Sequence, residues 1–446
     1  ERLHVSWVGR SIRDNSEIPP SVLVGQLRDA LAAGWVVADA ETNADEGEQP
    51  EDAGQQLVAH LTTEHPLQPF SREYFRPEQQ RLRTYASEWG EVWQQRESDI
   101  DPARATDANQ QLAVESPDRA IQLRELTEFY RQPVSVFMRR RLRVNLGKGD
   151  DIGPPPEDEP FKLNALEEWQ LRDELLKRLM LEKDAKDIDE VLEKRLNEIR
   201  LEGRLPMAAP GEKLAGKALK EAQEIGNRYF EECDRHGPAL NPCRVNLSFD
   251  MDFQGVDRIA IQDWLSNLRG NENAVHARVE LLASKIGTAR APAWDKLARF
   301  WPEHLAGCAM GLTMKTIIVG QDKTLGFDPV MQETAAAWFR DLARDWLIAQ
   351  SRPLPVTPKA SGAYLKVRAS NPDEPEKEWI DEAMKKARDA YVGNSYNPGV
   401  LVREPALARL YPDFEALQGS DDDGFMYWSD RVYGAMVETF LGQGGK

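Results

Sequence analysis

From Cys243 to Leu265 apolar and polar residues alternate with a period of two, first in CRVNLSFDMDF (243–253) and then in VDRIAIQDWL (256–265). That period places successive side chains on opposite faces of a strand, so a helix cannot use the pattern. VHARVELLA (275–283) follows the turn-rich RGNEN (269–273), and three successive strands are predicted, with a further apolar strand at Met314 to Val319. Helix period brackets this block. Upstream, Leu171, Leu175 and Leu179 form one four-spaced stripe and Ile188, Leu192, Leu196 and Ile199 another, stopped at Gly203 and Pro206. Downstream, Trp294 to Met310, Met331 to Ala349, Lys377 to Tyr391 and Phe425 to Leu441 read as helices. The pattern predicts an α/β fold in which helices cover a mixed sheet.

Before the stripes, Leu3 to Val8 reads as a short strand stopped by Gly9. Ser21 can cap a helix carrying Leu23, Leu27 and Leu31, with Gly34 as its C-terminal cap. Seven acidic residues and no basic one lie between Asp39 and Asp52, which predicts a solvated loop. Glu91 to Pro117 lacks periodicity and marks a domain boundary. Ile121 to Asn145 reads as helix interrupted at Pro133, and GKGDDIGPPPEDEP (147–160) as loop.

The 446 residues carry 57 Lys and Arg against 75 Asp and Glu, a net charge of −18, which excludes a free-standing basic nucleic-acid binder. Three cysteines, Cys233, Cys243 and Cys308, are too few for a disulfide framework and fit a reducing, cytoplasmic setting. No apolar run approaches the roughly 18–20 residues of a membrane span. The chain starts at Glu1, two residues before a predicted strand, and reads as a piece of a longer polypeptide.

Each catalytic chemistry requires particular residues at particular spacings. Gly147-Lys148 and Gly216-Lys217 are followed by Gly149 and Ala218, so neither completes the phosphate loop of a nucleotide hydrolase. A nuclease of the PD-(D/E)xK type needs carboxylates for Mg²⁺ and a lysine two residues after the second of them. Asp184-Ala185-Lys186 matches that spacing but reads as a solvated helix face. In the strand block Asp252, Asp257 and Asp263 are present, and Glu280 is followed by Leu281 and Leu282, without the lysine. Cys233-x2-His236 near Cys243 reads as structural, and three cysteines cannot ligate a four-cysteine iron–sulfur cluster. No catalytic residue or metal ligand is therefore assigned. One feature departs from the acidic average: Arg131, Arg139, Arg140, Arg141, Arg143 and Lys148 fall between Phe129 and Lys148 with no acidic residue among them. The arginines either track DNA phosphates or pair with neighbouring acidic loops while Val136, Phe137, Leu142 and Val144 pack.

HVSWVGRSIRDN (4–15), then Pro19-Pro20-Ser21-Val22-Leu23-Val24 and Gln26-Leu27-Arg28, closely resembles the gamma-subunit family of exodeoxyribonuclease V, RecC. In the same order run HPLQPFS (65–71), Thr84-Tyr85-Ala86-x-Glu88-Trp89, Phe129-Tyr130-Arg131-x-Pro133-Val134 leading to Arg141-Leu142-x-Val144-Asn145, Gly203-x-Leu205-Pro206, Glu303-His304-Leu305 and Lys386-Ala387-Arg388. The resemblance spans nearly the whole chain and implies the C-terminal portion of that subunit. By it, residues 1–110 would finish a superfamily 1 helicase-like domain without its ATP site, and residues 111–446 would form a nuclease-like domain without its metal site.

The resemblance further implies a non-catalytic DNA-handling and scaffolding role in double-strand break repair. RecB-type and RecD-type motor subunits would be the partners and would use ATP and Mg²⁺, and this chain would hold no cofactor. Duplex DNA ends and their unwound strands would be the substrate, split against a pin and scanned for Chi, with most of the Chi-reading surface outside this piece. The segment around Arg131-Gln132-Pro133 is also similar to AddB-type nucleases, but Gln132 stands where those have a cluster-binding cysteine. Two other readings stand beside this one: an active Mg²⁺-dependent nuclease built on Asp252, Asp257 and Glu280, and a protein-interaction module that makes no DNA contact. The C-terminal helix, with Phe425, Met426, Trp428, Val432, Tyr433, Met436, Val437 and Phe440, would either pack into its own core or dock a partner subunit.

Overall fold

A computed structural model describes residues 3–11, 16–37, 51–76, 81–82, 84–85, 89–90, 112–114, 117, 119–146, 162–181, 187–272, 274–372, 375–393, 398–420 and 423–442. The loop 147–160, Asp184-Ala185-Lys186, and most of the acidic stretch and of the segment 91–117 lie outside these residues. The chain divides into two compact units, Glu1–Asp107 and Ala108–Lys446.

In the first unit, helix α1 (Val22–Gly34) packs against α2 (Glu51–Leu61). The approach is close: a side chain at Gly54 would meet the Ala32 carbonyl oxygen at 2.1 Å. Ser21 precedes α1 with extended backbone but makes no capping hydrogen bond, and the helix runs through Gly34 to an extended Trp35. Glu51 and Asp52, read as the end of the acidic loop, instead open α2. Leu3 to Val8 forms no strand. Cross-chain backbone bonding begins only at Gly9, which accepts from Ile18 N–H at 2.8 Å beside the single bridge Arg10↔Glu17. β-forming side chains without a partner ladder do not make a strand.

The second unit opens with α3 (Leu123–Arg131) and α4 (Pro133–Arg140). The break falls where the sequence places it. Gln132 sits at φ −146°, ψ 69°, outside the helical region disfavoured before proline, and Pro133 begins α4, where its missing N–H costs nothing. Three longer helices follow: α5 (Ala165–Leu181), α6 (Ile188–Leu201) and α7 (Ala208–His236). The leucine stripes of α5 and α6 are buried as predicted. The sequence pattern gives no sign of the 29-residue α7, because the first half of its buried face is small (Gly211, Ala215, Ala218, Ala222) and only Ile225 and Tyr229 near its end are large. At Gly226 an added Cβ would lie 2.8 Å from the Leu179 side chain, so the absence of bulk is what lets α7 approach α5.

Strands β1 (Cys243–Phe253) and β2 (Val256–Leu265) pair with each other, antiparallel, with Asp252, Gln254 and Gly255 at positive φ around the turn, and β2 also makes an isolated parallel bridge from Ile261 to Ile121. The predicted three-strand meander is therefore corrected. Leu268–Asn271, read as turn because of its Gly and Asn, is strand β3 and pairs with β4 (Ala274–Leu281). β4 then pairs in parallel with β5 (Lys315–Val319), and β5 antiparallel with β6 (Thr324–Phe327), giving a mixed sheet of order β3-β4-β5-β6.

The two-residue period divides this sheet by face. Ala277, Val279, Ile317 and Val319 join the buried cluster of α5, α6 and α7. Ile318 joins the larger core shared by α3, α4, α8 (Trp301–Ala309), α9 (Gln332–Ser351), α10 (Pro358–Ser370), α11 (Glu376–Val392) and α12 (Phe425–Gly442). Within that core Phe425, Trp428, Val432, Tyr433, Met436, Val437 and Phe440 of α12 are buried, so the helix packs into its own unit. Tyr433 donates to the Tyr130 carbonyl at 2.8 Å and Ser429 to Ser361 of α10 at 2.8 Å. No described helix is long and apolar enough to cross a membrane.

Deleting Gly424 to Lys446 uncovers this core, and the truncated chain is expected to lose cooperative thermal unfolding. Tyr433→Phe keeps the ring and removes only the donor, at a cost of about 1 kcal/mol. Denaturant titration of the two variants separates the effects, and a truncated chain unfolding like the intact one would count against this packing.

Candidate nucleic-acid interface

The helices α3 and α4 fold back on each other, and that turn divides the arginine stripe. Glu125, three residues into α3, is buried and accepts from Gln122 N–H at 3.1 Å and Arg119 at 2.7 Å. Arg140, at the end of α4, completes its contacts and also reaches Glu128 at 3.4 Å. Burial alone would raise the Glu125 carboxyl. The Gln122 N–H and the two guanidiniums more than offset it and hold the group below its usual range. Arg140 is thus a structural tie between the helices, and Arg139 adds a longer contact to Glu128 at 3.9 Å. The acidic partners sit on the preceding helix rather than in loops.

Arg141 donates to the Ala113 carbonyl at 2.6 Å. Arg143 is exposed, stands at φ 55° and has no ion pair among the described residues. Leu142 and Val144, expected to pack, are exposed by 42% and 38%. Arg131 lies at the other end of α3, within electrostatic reach of Arg299 and Glu404. Arg131 and Arg143, exposed and without an ion pair among the described residues, and Arg139, with only a long contact, are the cations of the stripe that can meet an anion from solvent.

A second charged constellation was missed as such by sequence reasoning. Arg278 and Glu280 are two apart on β4 and so share the sheet face away from α7. The Arg278 guanidinium lies 2.7 Å from Glu280 and also bonds Glu303 of α8, while Asn267 donates to Glu280 at 2.9 Å. Arg278 is 5% exposed, and its Nε and Nη1 find no partner. Burial raises the Glu303 carboxyl against the pull of Arg278, and burial, with Arg131 adding to it, lowers Arg299 nearby. Leu282, in the position of the nuclease lysine, is buried and apolar. These residues do not fit a divalent metal, because a permanently charged guanidinium already stands between the carboxylates. The alternating strand pattern could have flagged this cluster, since it puts two charges on a buried face.

Asp252 and Asp257 flank the turn of the separate β1–β2 hairpin, whereas Glu280 belongs to the four-stranded sheet. Asp263 caps α3 by accepting from Leu123 N–H at 2.9 Å. Among the described residues no three His, Cys, Asp or Glu side chains could hold a metal ion, Cys233 and His236 included. His304 is fully buried, 2.9 Å from Thr316 and against Trp301, and burial drives it down to about 4, so it is a neutral core residue.

A family model described as the RecC C-terminal domain matches residues 118–369. The RecBCD enzyme subunit RecC of Escherichia coli K12 is 28% identical over 408 residues, covering 90% of this chain and 32% of that protein. The corresponding subunit of Haemophilus influenzae is 23% identical over 355 residues, 78% of this chain and 27% of that protein. That of Buchnera aphidicola from Acyrthosiphon pisum is 20% identical over 364 residues, 81% and 29%. The chain thus spans about a third of the length of the curated relatives it matches.

Removing the cation from the sheet cluster strands two carboxylates. Arg278→Met is expected to destabilise the fold by about 3–5 kcal/mol, and Arg278→Met with Glu280→Leu and Glu303→Leu to recover most of the loss; urea midpoints decide it, and a triple variant no more stable than the single would sink the account. A pH effect is expected at the half-buried Glu404, whose carboxyl burial pushes up to about 7 from 4.5. Its stabilising contribution is full below about 4.5 and lost as pH rises to about 7. Relative to Glu404→Gln, the wild type should therefore lose stability between about pH 5 and about pH 8. His304 titrates in the opposite sense but equally in both proteins, so the difference between them isolates Glu404.

Proposed function

The chain belongs to the RecC family, and from that membership we propose that it is the C-terminal portion of a non-catalytic DNA-handling and scaffolding subunit of a bacterial helicase–nuclease. In this reading residues 1–110 finish a helicase-like domain and residues 111–446 form a nuclease-like one. RecB-type and RecD-type subunits are its partners in the cytoplasm. They supply the ATP- and Mg²⁺-dependent chemistry of unwinding and degrading duplex ends in double-strand break repair, and Chi-dependent regulation is a property of the assembly.

The observation that carries the non-catalytic part is the cluster on β4. A strand carboxylate is present at Glu280, but Arg278 neutralises it and Leu282 stands where a lysine would polarise water. The mixed sheet keeps helices on both faces, while the lysine that would complete the nuclease set after Glu280 is replaced by Leu282. DNA handling is supported by Arg139 and Arg143, set against an acidic whole of net charge −18.

The purified chain is expected to hydrolyse neither ATP nor DNA. Mg²⁺-dependent cleavage that disappears in Asp252→Asn or Asp257→Asn would overturn the reading. Its DNA affinity on its own should be weak, with a dissociation constant of about 1–100 µM at physiological salt, because long-range attraction to phosphate is lacking. Arg139→Gln with Arg143→Gln should flatten the slope of log affinity against log salt by about 1–2, as measured by fluorescence anisotropy. An unchanged slope would remove these arginines from the interface.

A further inference from the structure

Far from the stripe in sequence, α9 and α12 enclose a cavity of about 330 Å³ lined by Arg344, Ile348, Arg352, Asp423, Tyr427, Trp428 and Arg431. Its composition differs from the acidic average of the chain. Arg344 and Ile348 lie one turn apart near the end of α9 and Arg352 follows the helix in extended backbone, while Tyr427, Trp428 and Arg431 face them from the first turns of α12.

The hydrogen-bonding capacity of the three guanidiniums is unequally spent. Arg352 gives both terminal nitrogens to Asp423 and stacks over Trp428, its carbon 5.3 Å from the ring centre. Arg431 uses Nε on the buried Asp345 at 2.5 Å and also lies over Trp428, at 5.7 Å. Tyr427 also hydrogen-bonds this guanidinium, so its Nη pair is only partly unspent. Arg344 is exposed, stacks over Phe253 at 5.5 Å, and has no ion pair among the described residues. Counting Asp423 and Asp345 as fully charged leaves the three arginines with one uncompensated positive charge. Burial pushes Asp345 up to about 7, so that excess is larger near neutral pH. At the rim Tyr427 is 41% exposed and offers a planar face.

We propose that this cavity is a phosphodiester-binding subsite for an unpaired DNA strand. Arg344 holds one phosphate, Arg431 adds its remaining donor capacity, and Tyr427, held by Arg431, carries the adjoining base. A cavity near 300 Å³ is the size of a small-ligand site, and an unpaired guanidinium beside an exposed aromatic ring is the combination that single strands use. An acidic peptide would use the cations but leave the ring unexplained. Trp428 is 2% exposed and stacked under two arginines, so its part is to position them. The proposal rests on the reading of the chain as a DNA-handling subunit and adds to it a site distant in sequence from the α3–α4 arginines.

The test is photocrosslinking of the full chain to a single-stranded dodecamer carrying 5-iododeoxyuridine, with the attachment point mapped by mass spectrometry. A crosslink at Tyr427 is expected. Arg344→Gln, which breaks no ion pair, should lower its yield about tenfold. Crosslinks confined to other residues and indifferent to Arg344→Gln would overturn the subsite while leaving the DNA-handling reading intact. The absence of any crosslink would overturn both. Full displacement by an equal concentration of pyrophosphate, or by a poly-glutamate peptide, would assign the cavity to a free phosphate or an acidic peptide and so overturn the strand assignment.

Discussion

The parallel register of β4 on β5 is the constraint on which the second unit depends. Parallel neighbours cannot be joined by a tight turn, so the chain between Leu281 and Lys315 must leave the sheet, and it does so through α8. The same register aligns Val279 with Ile317 on one face and Glu280 with Ile318 on the other. Slipping it by one residue would exchange the faces, sending Arg278 and Glu280 into the apolar layer under α7. The sheet position, the crossover helix and the buried charge cluster therefore stand together.

The cluster illustrates how a domain can keep a polar centre without using it for chemistry. Arg278 binds two carboxylates with one guanidinium nitrogen and leaves two others unpartnered, an arrangement that costs desolvation and is tolerated because each carboxylate would cost more alone. A guanidinium in this place is part of the chain and cannot be exchanged as a metal ion can. Ion pairing elsewhere follows the same economy. Arg140 is committed to Glu125 and Glu128, which leaves the outward-facing arginines at the end of α4 as the positive surface of a strongly acidic chain.

Close helix packing in this unit relies on missing side chains as much as on large ones. Gly226 admits Leu179 between α7 and α5, and Gly362 lies so near Trp294 that a Cβ there would meet its ring at 2.2 Å. Such contacts seat α7 against α5 and α10 against the segment at Trp294.

Much of the secondary structure was legible in the residues alone. Four-spaced leucines marked α5 and α6, Pro133 marked the break between α3 and α4, and alternation marked β1, β2 and β4, because in each case the burial period of the element is written in large apolar side chains. The lack of a lysine after Glu280 was legible for the same reason, since it is a matter of spacing. Small-residue faces such as that of α7, the strand Leu268–Asn271 with its Gly and Asn, and the failed strand at Leu3 to Val8 were not, because each depends on what lies opposite. Nor could spacing show that Arg131 and Arg143 lie at opposite ends of a helical hairpin, that Arg278 stands between Glu280 and Glu303, or that Arg344 faces Tyr427 across a cavity. Period and spacing are local properties that a chain carries before it folds, whereas partnership across tens or hundreds of residues exists only once packing has chosen which faces meet.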